Sequence, residues 1–231
     1  DASTVVVSGG TLDLGGNADT VAGVQQTGGT IQNGTLTSTT AFDMQAGTAS
    51  ANLAGAVGLD KTTAGTTTLS GTNTYTGTTT VSAGNLNLNS AGTAIAGNLT
   101  VAGGTATLQA ADQIADGKNV VVTSGTLDVA SFNDTVNGVQ ITGGTITGTT
   151  GALTSTTAFD LQAGTVSAIL GGTAGANKTT AGTVTLSKTN TYTGATTVSA
   201  GTLTLGHATN TLADASTVVV SGGTLDLGGN A

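Results

Sequence analysis

Val5-Val-Val-Ser-Gly-Gly10-Thr-Leu-Asp-Leu14 sets the pattern for the whole chain. A small residue and a Gly are followed by Thr, or once by Asn, at Gly10, Gly29, Gly47, Gly65, Gly84, Gly104, Gly125, Gly144, Gly164, Gly182, Gly201 and Gly223. The mean spacing is about 19 residues, too long for a heptad or a collagen triplet and suited to a coil that adds one turn of β-structure per repeat. After the Gly, apolar and polar residues alternate. Position +2 is apolar in nearly every turn (Leu12, Ile31, Leu86, Leu127, Ile146, Val166, Leu203), +4 is mostly apolar (Leu14, Leu69, Leu88, Leu108, Leu186), and +3 is always polar. Such period-two alternation places one face inward and one outward. A second strand precedes the Gly, with apolar residues at −5 and −3, as in Val120 and Val122 or Val139 and Ile141. The two small residues at the corner let the backbone bend sharply and let the next turn approach closely. The remaining residues of each turn vary and are expected to hold a third short strand and an outer loop.

Composition narrows the fold further. Of 231 residues, 38 are Gly, none is Pro, Cys or Trp, and aromatics make up 2%. Thr accounts for close to a quarter. The core must therefore be thin and built of Val, Leu, Ile, Ala and Thr, residues that suit a pleated surface. The net charge of −8 argues against nucleic acid or anionic membranes as partners. No run of apolar residues is long enough for a membrane-spanning helix, so no membrane insertion of this segment is expected. The absence of Cys fits a secreted chain without disulfides, though other compartments are equally compatible. No initiator Met or signal peptide heads the chain, the pattern of a mature or excised segment.

The turns are grouped. Residues 36–88 and 153–205 align without gaps at an offset of 117, and residues 1–18 recur unchanged at 214–231. The expectation is a single continuous solenoid over 1–231, a fragment of a longer protein that tiles in units of 213 residues. Neither end reads as a polar capping turn, which a free solenoid normally needs.

The segment from Lys61 through Asn73-Thr-Tyr-Thr-Gly77 to Val81-Ser-Ala-Gly84-Asn-Leu86, and its counterpart from Lys178 to Leu203, resemble the autotransporter-associated β-strand repeat, also called the passenger-associated transport repeat. That resemblance implies a right-handed parallel β-helix on a bacterial cell surface or released from it.

Few residues suggest chemistry. Asp43 and Lys61 both stand four residues before their Gly, as do Asp160 and Lys178, which predicts a surface ion pair across one ladder step. Such pairs contribute about 0–1 kcal/mol. A Lys–Asp isopeptide or a catalytic role is the sharper reading of the same pairs. Asp13, Asp128 and Asp226 share position +3 but lie turns apart, too far for an acid–base pair, which needs about 5–10 Å. Gly15-Gly-Asn-Ala-Asp19 is similar to a calcium-binding nonapeptide with one Gly missing; without tandem copies it reads as a turn, like its counterpart at Ser131-Phe-Asn-Asp134. His207 sits in a variable loop and reads as solvated. Tyr75 and Tyr192 read as packing or capping residues. Thr-x-Thr pairs at 66/68, 105/107, 145/147, 183/185 and 202/204 could order water as an ice-binding face, but Asp13, Gln32, Asp128 and Asp226 interrupt the column.

The sequence thus predicts an all-β, right-handed parallel β-helix of about eleven turns, with no catalytic, cofactor-binding or metal-ligating residue assigned and no cofactor implied. Three roles compete: a structural segment of an extracellular fibre or surface stalk, an adhesin whose loops contact cell-surface glycans or proteins, and ice binding or catalysis. The loops lack clustered aromatics and charges, which favours the first. Its partners would be copies of itself or adjoining repeats, end to end.

Overall fold

A computed structural model describes residues 3–209, 211–214 and 216–229. The chain divides into two compact units, residues 1–118 and 119–231. In the first, Thr4–Val7, Gly23–Gln26, Phe42–Met44, Leu59–Lys61, Thr79–Val81 and Leu99–Val101 lie side by side in one sheet. Thr11–Val21, Thr30–Ser38, Gly47–Ala49, Thr66–Leu69, Asn85–Leu88 and Thr105–Leu108 form the other. In the second unit the first sheet holds Asn119–Val122, Gly138–Ile141, Phe159–Leu161, Ala176–Lys178, Thr196–Val198 and Val218–Val220. Its second sheet holds Thr126–Asp128, Thr145–Ser155, Gly164–Gly171, Thr183–Leu186, Thr202–Leu205 and Thr224–Asp226.

Each strand pairs in parallel with its equivalent one turn later, not with its neighbour in the chain. That is a parallel β-solenoid. Each unit stacks six turns, so the described residues make twelve turns, one per Gly corner. The expected third strand is present only in places: Asn52–Ala54 pairs with Thr30–Ser38, and Asp134–Val136 with Thr145–Ser155. No helix among the described residues is long and apolar enough to cross a membrane.

Inward residues stack in columns. One column of the first unit runs Leu12, Ile31, Ala49, Leu69, Leu88, Leu108. This differs from a count made from each Gly, because Ala49 at +2 stands on Leu69 at +4. Val166 likewise stands on Leu186 rather than on Val184. The cause is corner length. The path from Met44 to Ala49 is shorter than that from Lys61 to Leu69, and the longer corner admits one more inward residue, Thr67, which then carries Leu86 and Ala106. The same widening follows Lys178. The path grows by three residues, and alternation resumes beyond the corner, with Thr67 and Leu69 inward and Thr66 outward.

Some corners admit nothing but Gly. A Cβ at Gly97 would lie 1.8 Å from the carbonyl oxygen of Gly77, and one at Gly77 would lie 2.4 Å from the carbonyl carbon of Val57. Neighbouring turns touch backbone to backbone there. By contrast, a Cβ at Gly117 would meet nothing within 4 Å. Gly97→Ala is therefore expected to destabilise by about 3 kcal/mol, the upper range for overpacking, while Gly117→Ala stays within about 1 kcal/mol. Urea unfolding of the two variants checks the contrast; equal effects would contradict this stacking.

Candidate functional site

The residues that stand out chemically gather in two copies of one buried arrangement, one per unit, at the 117-residue offset. Lys61 and Lys178 are inward, with 0% and 1% of their surface exposed. This overturns the surface ion pair. In the ladder Asp43 faces Asp60, not Lys61, and Asp160 faces Asn177. Counting from Gly47 and Gly65 misplaces the pairing by one residue, and a one-residue shift exchanges the faces of a strand. Leu59-Asp60-Lys61 alternates in, out, in. That local alternation is the signal that would have placed the lysine correctly.

Each lysine fills the corner where the cross-section widens. Lys61 Nζ donates to the carbonyl oxygen of Thr63 and, at 3.2 Å, to that of Ala83 one turn on. Lys178 Nζ donates to the carbonyls of Thr180 and, at 3.3 Å, of Ala200. Burial pushes both ammonium groups below the ordinary lysine value, and the carboxylates of Asp43 and Asp160 partly offset this. The carboxylates themselves accept from amides. Asp43 Oδ2 takes Nε2 of Gln25 and of Gln45, both at 2.8 Å. Asp160 Oδ2 takes those of Gln140 and Gln162 at 2.6 and 2.9 Å. Gln26 plays the lysine part at an earlier corner, with Nε2 donating to Gly29 and Thr48 carbonyls.

The Asn-Thr-Tyr-Thr-Gly turn is equally structural. Asn73 Oδ1 accepts from the Leu53 amide at 2.9 Å while its Nδ2 donates to the Ala94 carbonyl at 2.7 Å. One side chain thereby joins the turn before it to the turn after it. Asn190 does the same between Leu170 and Thr211. Tyr75 and Tyr192 are fully buried. Their hydroxyls meet Thr79 Oγ1 at 2.6 Å and Thr196 Oγ1 at 2.8 Å. Their rings lie 6.0 and 5.8 Å from those of Phe42 and Phe159, tilted by 54° and 50°. Burial holds both phenols above the ordinary tyrosine value, with the threonine hydroxyls working weakly the other way.

The other sequence candidates stay apart. Asp13 accepts from Gln32 and Asn33 side chains at 2.8 and 3.0 Å and from the Gly15 amide at 2.8 Å, which together lower its pKa. Gly15 and Gly16 sit at positive φ and shift the register between Asp13 and Asn17, so the nonapeptide-like stretch is an irregularity within the strand Thr11–Val21 rather than the expected turn. Asp128 and Asp226 lie on the first and last strands of their sheet in the second unit, five ladder steps apart. No group of three or more His, Cys, Asp or Glu able to hold a metal occurs among the described residues. His207 Nδ1 lies 2.5 Å from the Thr209 carbonyl oxygen.

Outward threonines do stack, in columns shifted by the widened corner. Thr126, Thr145, Thr165, Thr185 and Thr204 form one, which ends on Asp226. The first unit has Thr11, Thr30, Thr48 and Thr68 before Asn87 breaks the run. A shallow cleft of about 240 Å³ on the second unit is lined by residues including Asn119, Val121, Gly138, Gln140, Thr157 and Asp160.

A chain built this way is a parallel β-solenoid whose distinctive polar side chains serve its own backbone. The passenger-associated-transport-repeat family model matches residues 59–88 and 177–205, the two segments that carry these networks. No curated protein and no solved structure matches the chain.

Lys61→Ala removes a donor to two carbonyls and opens a cavity, and is expected to cost about 3 kcal/mol; Asp43→Ala is expected to cost about 1 kcal/mol or less. An ion pair would make the two losses equal in urea unfolding. Stability also depends on alkaline pH. The tyrosines bind their protons more tightly folded than unfolded, so their stabilisation is complete below pH 10.0 and is lost as pH rises above it. The slope is about 1.4 kcal/mol per pH unit for each phenol. The lysines, shifted down, act oppositely, favouring the fold as pH rises toward 10.5. Thermal scans between about pH 9 and 11 should therefore show an alkaline loss that Tyr75→Phe with Tyr192→Phe abolishes.

Proposed function

We propose that this chain is a structural, length-giving segment of a bacterial extracellular fibre or surface stalk. The observation that supports this most is where its unusual side chains go. Lysine, asparagine, glutamine and tyrosine, the groups a binding or catalytic surface would present, are turned inward at Lys61, Asn73, Tyr75 and Gln26 and again at Lys178, Asn190 and Tyr192. There they bond to backbone carbonyls and amides or to a buried threonine hydroxyl, although Gln26 Oε1 is left without a partner. Outward positions are left mainly to Thr, Ser and Asn. In a solenoid each turn is stabilised by its neighbours, so length is gained by adding turns of the same kind. The passenger-type repeats at 59–88 and 177–205 agree with a secreted or surface-exposed location and a non-enzymatic role.

An adhesin reading has one observation in its favour, the cleft beside Gln140 and Asp160. At about 240 Å³ it lies below the usual range of small-molecule sites, about 300–1,000 Å³. Screening the purified chain against glycan arrays and intact cells decides between the readings. The structural role is expected to give no saturable binding. Saturable binding that Gln140→Ala or Asp160→Ala removes would overturn it in favour of an adhesin.

A further inference from the structure

The shallow cleft on the second unit is lined by acceptors whose neighbouring donors are already engaged. Gly138 lies at its floor, and a Cβ there would stand 3.0 Å from Thr157 Oγ1 and 3.1 Å from Asn119 Oδ1. Gln140 lies two residues along the same strand, and Asp160 pairs with it across one ladder step. Gln140 Nε2 and Gln162 Nε2 both donate to Asp160 Oδ2. Asn137 Nδ2 donates to Asn119 Oδ1 at 2.8 Å, and Thr157 Oγ1 donates to the Asn137 carbonyl at 2.7 Å. A carboxylate only accepts, so the Gln140 amide must turn its nitrogen to Asp160 and keep its oxygen as an acceptor. Among the described residues no donor meets Oε1 of Gln140 or Oδ1 of Asp160.

The nearby Lys178 ammonium lies inside the solenoid and donates to the Thr180 and Ala200 carbonyls, not to this carboxylate. The first unit repeats the construction. Gln25 and Gln45 donate to Asp43, Thr40 Oγ1 donates to the Ala22 carbonyl, and a Cβ at Gly23 would stand 2.9 Å from Thr40 Oγ1. Its remaining oxygen, Thr4 Oγ1, stands farther off, at 3.5 Å. A group that suits the second-unit cleft carries positive charge and donors, and no acceptor. A primary ammonium meets that description. A calcium ion needs about 6–8 oxygen ligands, and no cluster of three or more His, Cys, Asp or Glu able to hold a metal occurs among the described residues. The cleft, about 240 Å³, has room for one such group with a short aliphatic stem laid against Val121.

We propose that the cleft formed by Asn119, Gly138, Gln140, Thr157 and Asp160 is a binding site for a primary alkylammonium group, carried by a free amine or by a lysine side chain of another molecule. The ammonium sits over Gly138 and donates to Asn119 Oδ1, Thr157 Oγ1 and the Gln140–Asp160 edge. The net charge of −8 favours the approach of a cation. This site goes beyond the structural-stalk reading and does not depend on it. One small group held in this way binds with a dissociation constant of about 1 mM. That is too weak to retain glycans or cells through washing, so an amine titration and the binding screen fail independently.

The test is a titration of the full, isotope-labelled chain with butylammonium chloride, read by nuclear magnetic resonance at the side-chain amides of Gln140 and Asn119. Saturable shifts are expected, with a midpoint of about 1 mM. Tetramethylammonium, which has the charge without the donors, should give none. Asp160→Asn is expected to weaken binding about tenfold, the loss of one charge-assisted bond. Gly138 lies outside the left-handed region, so Gly138→Ala should fold, cover the cleft floor and abolish binding with Asp160 in place. That variant keeps the test decisive should Asp160→Asn fail to fold. Tighter binding of Nα-acetyl-lysine methylamide than of butylammonium would identify a protein lysine as the source, and the reverse a free amine. No shift with either amine, equal shifts with tetramethylammonium, shifts with calcium chloride alone, or unchanged binding in Gly138→Ala would each overturn the proposal.

Discussion

The parallel step between turns governs this molecule. At about 4.8 Å, a residue on one turn has room only for what the equivalent position of the next turn offers. Where backbones meet, as at Gly58, Gly77 and Gly97, no side chain fits. Where the corner widens after Lys61, a gap opens lined by carbonyl groups, and a long donor must enter it. Lys61 and Lys178 do so. A buried carbonyl without a donor would cost about 1–3 kcal/mol. The desolvation that depresses the lysine pKa is the opposing penalty.

The same constraint explains which residues mark the repeat. Lys61, Asn73 and Tyr75 are distinctive within residues 59–88, and each resolves a backbone or packing problem at a turn's edge. Asn73 replaces ladder bonds where the chain is irregular. Tyr75 with Phe42 fills space that aliphatic columns leave, and Thr79 takes up its hydroxyl. The second unit repeats all of this with Lys178, Asn190, Tyr192, Phe159 and Thr196. Residues of these types in a globular enzyme would mark a pocket; here they hold consecutive turns together.

Much of this is legible in the sequence. The Gly corners and the period-two alternation around them state the solenoid and its turn length, because both reflect geometry that every turn must repeat. Tyr75 and Tyr192 read as packing residues, and they are. Register between particular turns is not legible from the Gly corners, since corners differ in length and counting from Gly47 and Gly65 sets Asp43 against Lys61 when the ladder sets it against Asp60. The bridging roles of Asn73 and Gln26 escape the sequence as well. They depend on neighbouring turns, and no pattern within one turn carries them.

Lysine reactivity tests the central claim most directly, that inner register turns the distinctive polar groups inward. Of the four lysines, Lys118 and Lys188 are partly exposed while Lys61 and Lys178 are buried. Brief treatment of the native chain with an amine-reactive reagent, read by peptide mass spectrometry, should modify Lys118 and Lys188 and spare Lys61 and Lys178 until the chain is unfolded. Equal modification of all four in the native state would place Lys61 and Lys178 on the surface and contradict the inward register.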